Sequence, residues 1–291
     1  MDPHLLRTFV TVVRRRSFSA AAEELGYTQS AVSQQIAALE ADLGLALLSR
    51  RPVEPTDAGR RLLEHAEPLL LRHSAARADV LRSAATPAHR LTLALSPLAL
   101  TPEVALRLAA ARSEQPRLRL SLRSAAREQV AVQVASGEAE LGLADGIAAP
   151  NDPLRMPDVG PLSARAVAER ELVVVLPPGH PLMGRTGLRL ADLADAVWLR
   201  TPLCPLERLR ELAGDGFRPG LSYQGDNVQA VLHLVAAGHG LTLLPAGAGR
   251  GVPLLAPRVV HRVELLHATA LSGPAAPLAA TLSRIEGEVR H

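Results

Sequence analysis

Between Ser17 and Gly59 the chain reads SFSAAAEELGYTQSAVSQQIAALEADLGLALLSRRPVEPTDAG, and no other stretch constrains its fold as tightly. Its apolar residues recur at helical spacing, and its capping residues stand where helices should begin and end. Asp2 can cap a first helix that carries Pro3 at its first position, where a missing N–H costs nothing, with Leu6, Phe9 and Val13 on one face. Ser17 or Ser19 caps a second helix whose Ala22 and Leu25 face inward, and Gly26 suits the left-handed residue that ends it. Thr28 caps a third helix with Val32, Ile36, Leu39 and Leu43 as its apolar stripe, closed by Gly44.

The opposite face of the third helix presents Gln29, Ser30, Ser33 and Gln34, with Thr28 at its start; Arg50 and Arg51 follow in a hairpin. Gln bonds bidentately to adenine, and Ser or Thr contacts bases or phosphates. Alone, such a face is equally the solvated side of an amphipathic helix. Here a short preceding helix, a Gly-containing turn and an arginine-bearing hairpin stand in the order of a helix-turn-helix with a wing, a shape that fits a DNA major groove.

These residues carry a resemblance. Phe9, Ser17, Ala20, Ala21, Leu25, Thr28, Gln29, Ser30, Ala31, Val32, Ser33, Ile36, Leu39, Glu40, Leu43, Gly44, Leu47, Arg50, Thr56, Ala58 and Gly59 match the N-terminal pattern of LysR-type transcriptional regulators, which the chain resembles. The resemblance implies a dimeric winged helix-turn-helix, a long linker helix and a C-terminal effector-binding domain of two α/β lobes, like those of periplasmic solute-binding proteins. The segment from Arg50 to Thr56 is shorter than the family wing, Pro55 stands where an aliphatic residue usually precedes the threonine, and Leu48 replaces a phenylalanine. Those departures bear on the wing's reach into the minor groove and leave the fold expectation intact.

At 291 residues the chain can hold two or three units with proper cores, and 47% apolar with 2% aromatic residues makes those cores Leu, Val and Ala. All 32 basic residues are Arg, yet a net charge of +3 argues nucleic acid only through placement. Arg14, Arg15 and Arg16 are candidate phosphate contacts, and cations at a helix C-terminus also favour its dipole. The single cysteine, Cys204, excludes an internal disulfide and a multi-cysteine metal site, and fits a reducing compartment. The N-terminus lacks an apolar signal core, and no run approaches a membrane span, so a cytoplasmic protein with no membrane partner is expected.

From Thr56 to about Ala84 runs one long amphipathic stretch, whose apolar face calls for a partner helix from a second subunit. Pro68 inside it predicts either a kink or a break into two helices, and Thr86 to Arg90 reads as a hinge. Beyond it strands and helices alternate, which predicts parallel α/β sheets. The segments are Leu91–Ser96, Thr101–Arg112, Leu118–Arg123, Arg127–Ser136, Glu140–Ala144, Glu171–Leu176, Val197–Leu199, Leu206–Ala213, Asn227–Ala237, Gly240–Leu244, Val263–Ala268 and a closing helix Pro277–Arg290. The loop Ala148–Pro161 reads as a crossing between lobes.

The expected division is therefore 1–60 for the winged helix-turn-helix, 61–89 for the linker helix, 90–160 with 268–291 for the first lobe, and 161–267 for the second. Ligands of open α/β sheets sit at the carboxyl ends of strands, which points to Ser96, Pro97, Leu98, Thr201, Asn227 and Gly240 for a small polar or anionic effector. Asp145 reads as a turn cap, and Arg200 as a carboxylate partner or a surface residue. No HExxH, GxSxG or paired-carboxylate constellation marks a catalytic site, and ten scattered histidines lack metal-ligand spacing, so neither enzyme activity, cofactor nor metal is expected. The expected partners are double-stranded DNA with an interrupted palindromic operator, a small-molecule effector and further copies of the chain, as a dimer and then a tetramer. A solute-binding module with a degenerate DNA head and a helix-turn-helix fused to an enzyme are the rivals; the missing catalytic constellation disfavours the second.

Overall fold

The computed structural model describes residues 1–84, 90–160, 162–268, 271 and 273–283. Its contacts divide the chain into two units: Met1–Thr86 with Ala135–Gly137 and Asp158–Pro161, and the remainder.

The first unit opens with α1 (Pro3–Arg15), α2 (Phe18–Leu25) and α3 (Gln29–Leu43). Asp2 accepts from the His4 amide at 2.7 Å, Ser17 from Ala20 at 3.2 Å and Thr28 from Ala31 at 3.2 Å, so Ser17, and not Ser19, is the cap of α2. Gly26 and Gly44 end α2 and α3 at φ 70° and 67°. Phe9, Val12, Ala21, Val32, Ile36 and Leu39 form a core closed by Leu47 and Leu48. Leu43 departs from the expected stripe: it is 39% exposed, one turn beyond the last residue of α3 that packs in this core.

The wing is a hairpin of β1 (Leu48–Arg50) and β2 (Val53–Pro55), in register Leu48↔Pro55 and Arg50↔Val53, leaving Arg51–Pro52 as its two-residue tip. Glu40 fastens it to α3 by accepting from the Leu47 and Leu48 amides at 2.8 and 3.2 Å. Helix α4 (Asp57–Ala84) is capped by Thr56, whose hydroxyl accepts from Gly59 at 3.0 Å. Of the two readings at Pro68, one unbroken helix is the outcome. Ala58, Leu62 and Leu63 pack on the core, whereas Leu69 lies open. Residues 86–89 of the expected hinge lie outside the described residues.

The second unit runs β3 (Arg90–Leu95), α5 (Pro102–Glu114), β4 (Arg119–Ser124), α6 (Arg127–Ser136), β5 (Leu141–Ala148), β6 (Leu162–Arg170), β7 (Leu172–Val175), β8 (Leu188–Arg189), β9 (Val197–Arg200), α7 (Leu206–Ala213), β10 (Arg218–Ser222), α8 (Val228–Ala236), β11 (Thr242–Pro245), β12 (Val252–Ala256), β13 (Val260–Ala268) and α9 (Ala275–Leu282). One lobe holds the sheet β4-β3-β5-β13-β6; the other holds β11-β7-β12-β8 and the pair β10-β9. The expected parallel order holds for β4, β3 and β5, but β13 is antiparallel to β5 and β6. In that sheet the antiparallel strands are those through which the chain leaves the first lobe and returns to it, and in the second lobe β7 is antiparallel to both β11 and β12.

Strand β5 continues past Asp145–Gly146, where the sequence suggested an end, because β13 pairs with it as far as Ala148↔Val260. Helix α9 begins at Ala275, ahead of the expected Pro277; the expected extension beyond residue 283 lies outside the described residues. Leu91, Leu93, Leu141 and Leu143 meet Val104, Leu108, Leu278 and Leu282 in the first lobe's core. The second is built on Trp198, edge-to-face with Phe217 at 5.6 Å. No helix among the described residues is long and apolar enough to cross a membrane.

Candidate functional site

Two places on the molecule concentrate chemistry. On the first unit, burying Val32, Ile36 and Leu39 turns the other side of α3 outward. Thr28, Gln29, Ser30 and Gln34 are exposed there and Ser33 is half-buried, so the polar face foreseen from the sequence is assembled on one side of the helix. Arg50 and Arg51 are exposed on the wing, and the Arg50 guanidinium stacks over Phe18, 5.6 Å from its ring centroid. Arg14 and Arg15 both pair with Glu24, which takes up part of the charge the sequence offered to phosphate.

On the second unit a cleft of about 800 Å³ opens between the lobes. Ser96, Pro97 and Leu98 line it, at the end of β3 as foreseen. Ser96, however, is 1% exposed, and its hydroxyl is already engaged. It donates to the Asp145 carboxylate and accepts from the Asp145 amide at 2.7 Å. Asp145 also accepts from the Leu98 amide at 3.2 Å and pairs with His261 Nε2 at 3.1 Å. Asp145 is therefore a cross-strand anchor of the cleft wall, not merely a turn cap.

The remaining predicted positions separate. Thr201 does not line the large cleft; it lines an adjoining pocket of about 310 Å³ that shares Pro202, Pro205, Glu207 and Gln224 with it. Asn227 is the cap of α8, accepting from Ala230 at 3.0 Å, and lies outside the cleft lining because that bond turns its side chain to the helix. Gly240 is also outside: a Cβ there would stand 2.6 Å from the Leu199 amide nitrogen, so its need is close packing against β9. Arg200 pairs with Glu207 at 3.3 Å.

The sequence did not single out Arg127, Arg155, Arg208 or His261, all of which line the cleft. Arg127 opens α6 just after β4, so the strand-end rule had the signal to find it. The other three are brought in by tertiary pairing. Arg208 reaches across the lobes to the Ile147 carbonyl at 3.1 Å and bonds Glu211 at 2.6 Å. That bond holds the Glu211 carboxyl below its ordinary range, with attraction from Arg155 and Arg127 adding to it. A second strap joins the lobes where Arg170, whose Nη2 bonds both oxygens of Glu103 at 2.7 Å within the first lobe, donates to the Ala246 carbonyl at 3.1 Å. No cluster able to hold a metal occurs among the described residues.

A winged helix-turn-helix with an outward polar face, on a chain that also carries a two-lobed binding domain, defines a DNA-binding protein that answers to a small molecule. The profile of bacterial regulatory helix-turn-helix proteins of the lysR family matches residues 3–60, and that of the LysR substrate binding domain matches residues 84–270. The chain belongs to the LysR family: it is a transcriptional regulator that binds DNA and a small-molecule effector, and not an enzyme.

Among its relatives, a probable hydrogen peroxide-inducible genes activator of Mycobacterium avium is 32% identical, over 87% of this chain and 79% of that one. The regulator ShiR of Corynebacterium glutamicum is 30% identical over 93% and 92%. Similar solved folds are full-length BenM (TM-score 0.54, 24% identity, 97% and 95% covered) and CbnR complexed with its target DNA (0.52, 22%, 97% and 98%).

Proposed function

We propose that this regulator acts in the cytoplasm as a homodimer, and as a tetramer built from dimers, on an interrupted palindromic operator in double-stranded DNA. The working arrangement is 1–60, 61–89, 90–160 with 268–291, and 161–267, except that β6 and β13 pair in the first lobe's sheet and go with that lobe. The face Thr28, Gln29, Ser30, Ser33 and Gln34 reads base edges, while Arg50 and Arg51 hold phosphates. The effector enters between the lobes against Pro97, Leu98 and the arginine-bearing wall. Ser96 orients Asp145, and Thr201 serves the adjoining pocket. The outward polar face of α3, set opposite a packed core, is the observation that carries this reading.

A peroxide response through an internal disulfide is not proposed for this chain, because it has one cysteine and that thiol is buried. The test is a gel shift of the full chain on its own promoter region, with wild type, Gln29→Ala and Ser33→Ala. Each substitution is expected to weaken specific binding by about 1–3 kcal/mol and to leave nonspecific binding nearly unchanged. An unaltered ratio of specific to nonspecific binding for both would remove α3 from base reading. Failure of the wild-type chain to shift any promoter fragment would favour a solute-binding module with a degenerate head.

A further inference from the structure

Three guanidinium groups line one cleft, each from a different part of the fold. Arg127 opens α6 in the first lobe, Arg155 stands in the loop between β5 and β6, and Arg208 lies on α7 in the second lobe. Arg127 and Arg208 reach neighbouring residues of β5. A Cβ on Gly146 would stand 2.9 Å from Arg127 Nη1, and Arg208 donates to the Ile147 carbonyl at 3.1 Å. The carboxylates that answer them are exposed: Glu128 pairs with Arg127 at 2.9 Å, and Glu211 with Arg208 at 2.6 Å. Arg155 has no ion pair among the described residues, and it attracts Glu211 from longer range, as Arg127 does. Of the other acids on the lining, Asp145 is committed to Ser96, Leu98 and His261, and Glu207 to Arg200; Asp152 and Asp226 are exposed. Much of the remaining wall is apolar, with Leu154, Leu172, Leu203, Leu243, Pro245 and Val259.

The geometry points to an effector with a carboxylate or phosphate on a compact apolar body, whose anion competes with Glu211 for Arg208 and is held by Arg127 and Arg155 as well. This rests on the reading of the cleft as the effector site. A guanidinium offers parallel N–H donors that match the oxygens of such an anion, and guanidiniums from both lobes make the anion a bridge between them. Glu211 is a weak competitor. It stands three residues from Arg208 on one helix, in an exposed pair of the kind that contributes little. An apolar body adds burial against the leucine wall, which the Glu211 side chain does not supply.

Calorimetric titration of the full-length chain at matched ionic strength tests this. The probes are hexanoate, cyclohexanecarboxylate and phenyl phosphate, with hexanamide, cyclohexanecarboxamide and cyclohexylamine as uncharged and cationic counterparts. The acids are expected to saturate the wild-type chain and the counterparts not to, and the carboxylates against phenyl phosphate decide which anion the seat prefers. Arg155→Gln breaks no ion pair of the fold and should weaken acid binding by about ten-fold or more. Glu211→Gln removes the competitor and should tighten it by about two- to five-fold. Saturation by no acid in wild type or Glu211→Gln, equal binding by the carboxamides, or a preference for the amine on Asp152 and Asp226 would overturn the assignment. If Leu98→Trp blocks the acids while Arg155→Gln and Arg208→Gln leave them bound as before, the anion seat falls and the cleft reading stands. If Leu98→Trp leaves their binding untouched as well, the cleft reading falls with it.

Discussion

Cys204 is fully buried in the second lobe's core, and burial pushes its thiol up to about 11. The thiolate is the reactive form, so at neutral pH about one molecule in ten thousand carries it. The native protein is expected to stay inert to Ellman's reagent while guanidinium-unfolded protein reacts in full. Peroxide should also leave DNA binding by wild type and Cys204→Ala alike. Rapid native labelling would show that the lobe opens around this residue. The same scale explains Ser96, whose single hydrogen is committed to Asp145; a strand-end serine becomes a wall fastening once a carboxylate 49 residues away faces it.

At the scale of elements, the wing and α4 meet at Gly59. A Cβ there would lie 2.1 Å from the Leu47 carbonyl oxygen, which accepts the Thr56 amide at 2.9 Å. The obstacle is backbone on both sides, so neither can swing away. Gly59→Ala should cost the N-terminal unit about 1–3 kcal/mol and leave unfolding of the effector lobes unchanged. Urea denaturation followed by proteolysis of each unit reads this out, and equal stability would mean that the wing shifts freely. The helices of this unit were legible because caps, stripes and stop residues lie within a few positions of one another. Strands β6, β10 and β12 were not. Arg218–Ser222, with Pro and Gly in it, becomes a strand only because β9 pairs beside it.

Across the whole molecule, the lobes are fastened by Arg170, which Glu103 holds within the first lobe while it donates to the Ala246 carbonyl, and by Arg208 on Ile147. The Arg170 hydrogen bonds, ahead of the helix-end backbone and Thr101, lower the Glu103 carboxyl from 4.5 to about 2. A carboxyl depressed by folding stabilises the folded form above its unfolded value, and the contribution is lost as pH falls toward the folded one. The ion pair should therefore contribute fully above pH 4.5 and fade toward pH 2. Solvent reaches both partners, so the gain is modest. Urea unfolding from neutral to acid pH should show a steeper acid loss in wild type than in Glu103→Gln; superimposable profiles would discard the strap as a stabilising contact.

The helix-turn-helix and its polar face were determined by the sequence itself, because periodicity and capping are properties of neighbours along the chain, while the two-lobed plan came with the family resemblance those residues carry. The content of the cleft was decided only by tertiary structure. Asp145 meets a histidine 116 residues away, and Arg170 meets a glutamate 67 residues away. Such pairings settle which polar groups the fold consumes and which it leaves for a ligand. Ser96 is spent on the wall, Asn227 on a helix end and Gly240 on close packing, while Arg127, Arg155 and Arg208 line the space that remains. Hydrogen-bonding capacity is finite at each atom, and only the folded chain shows where it has gone.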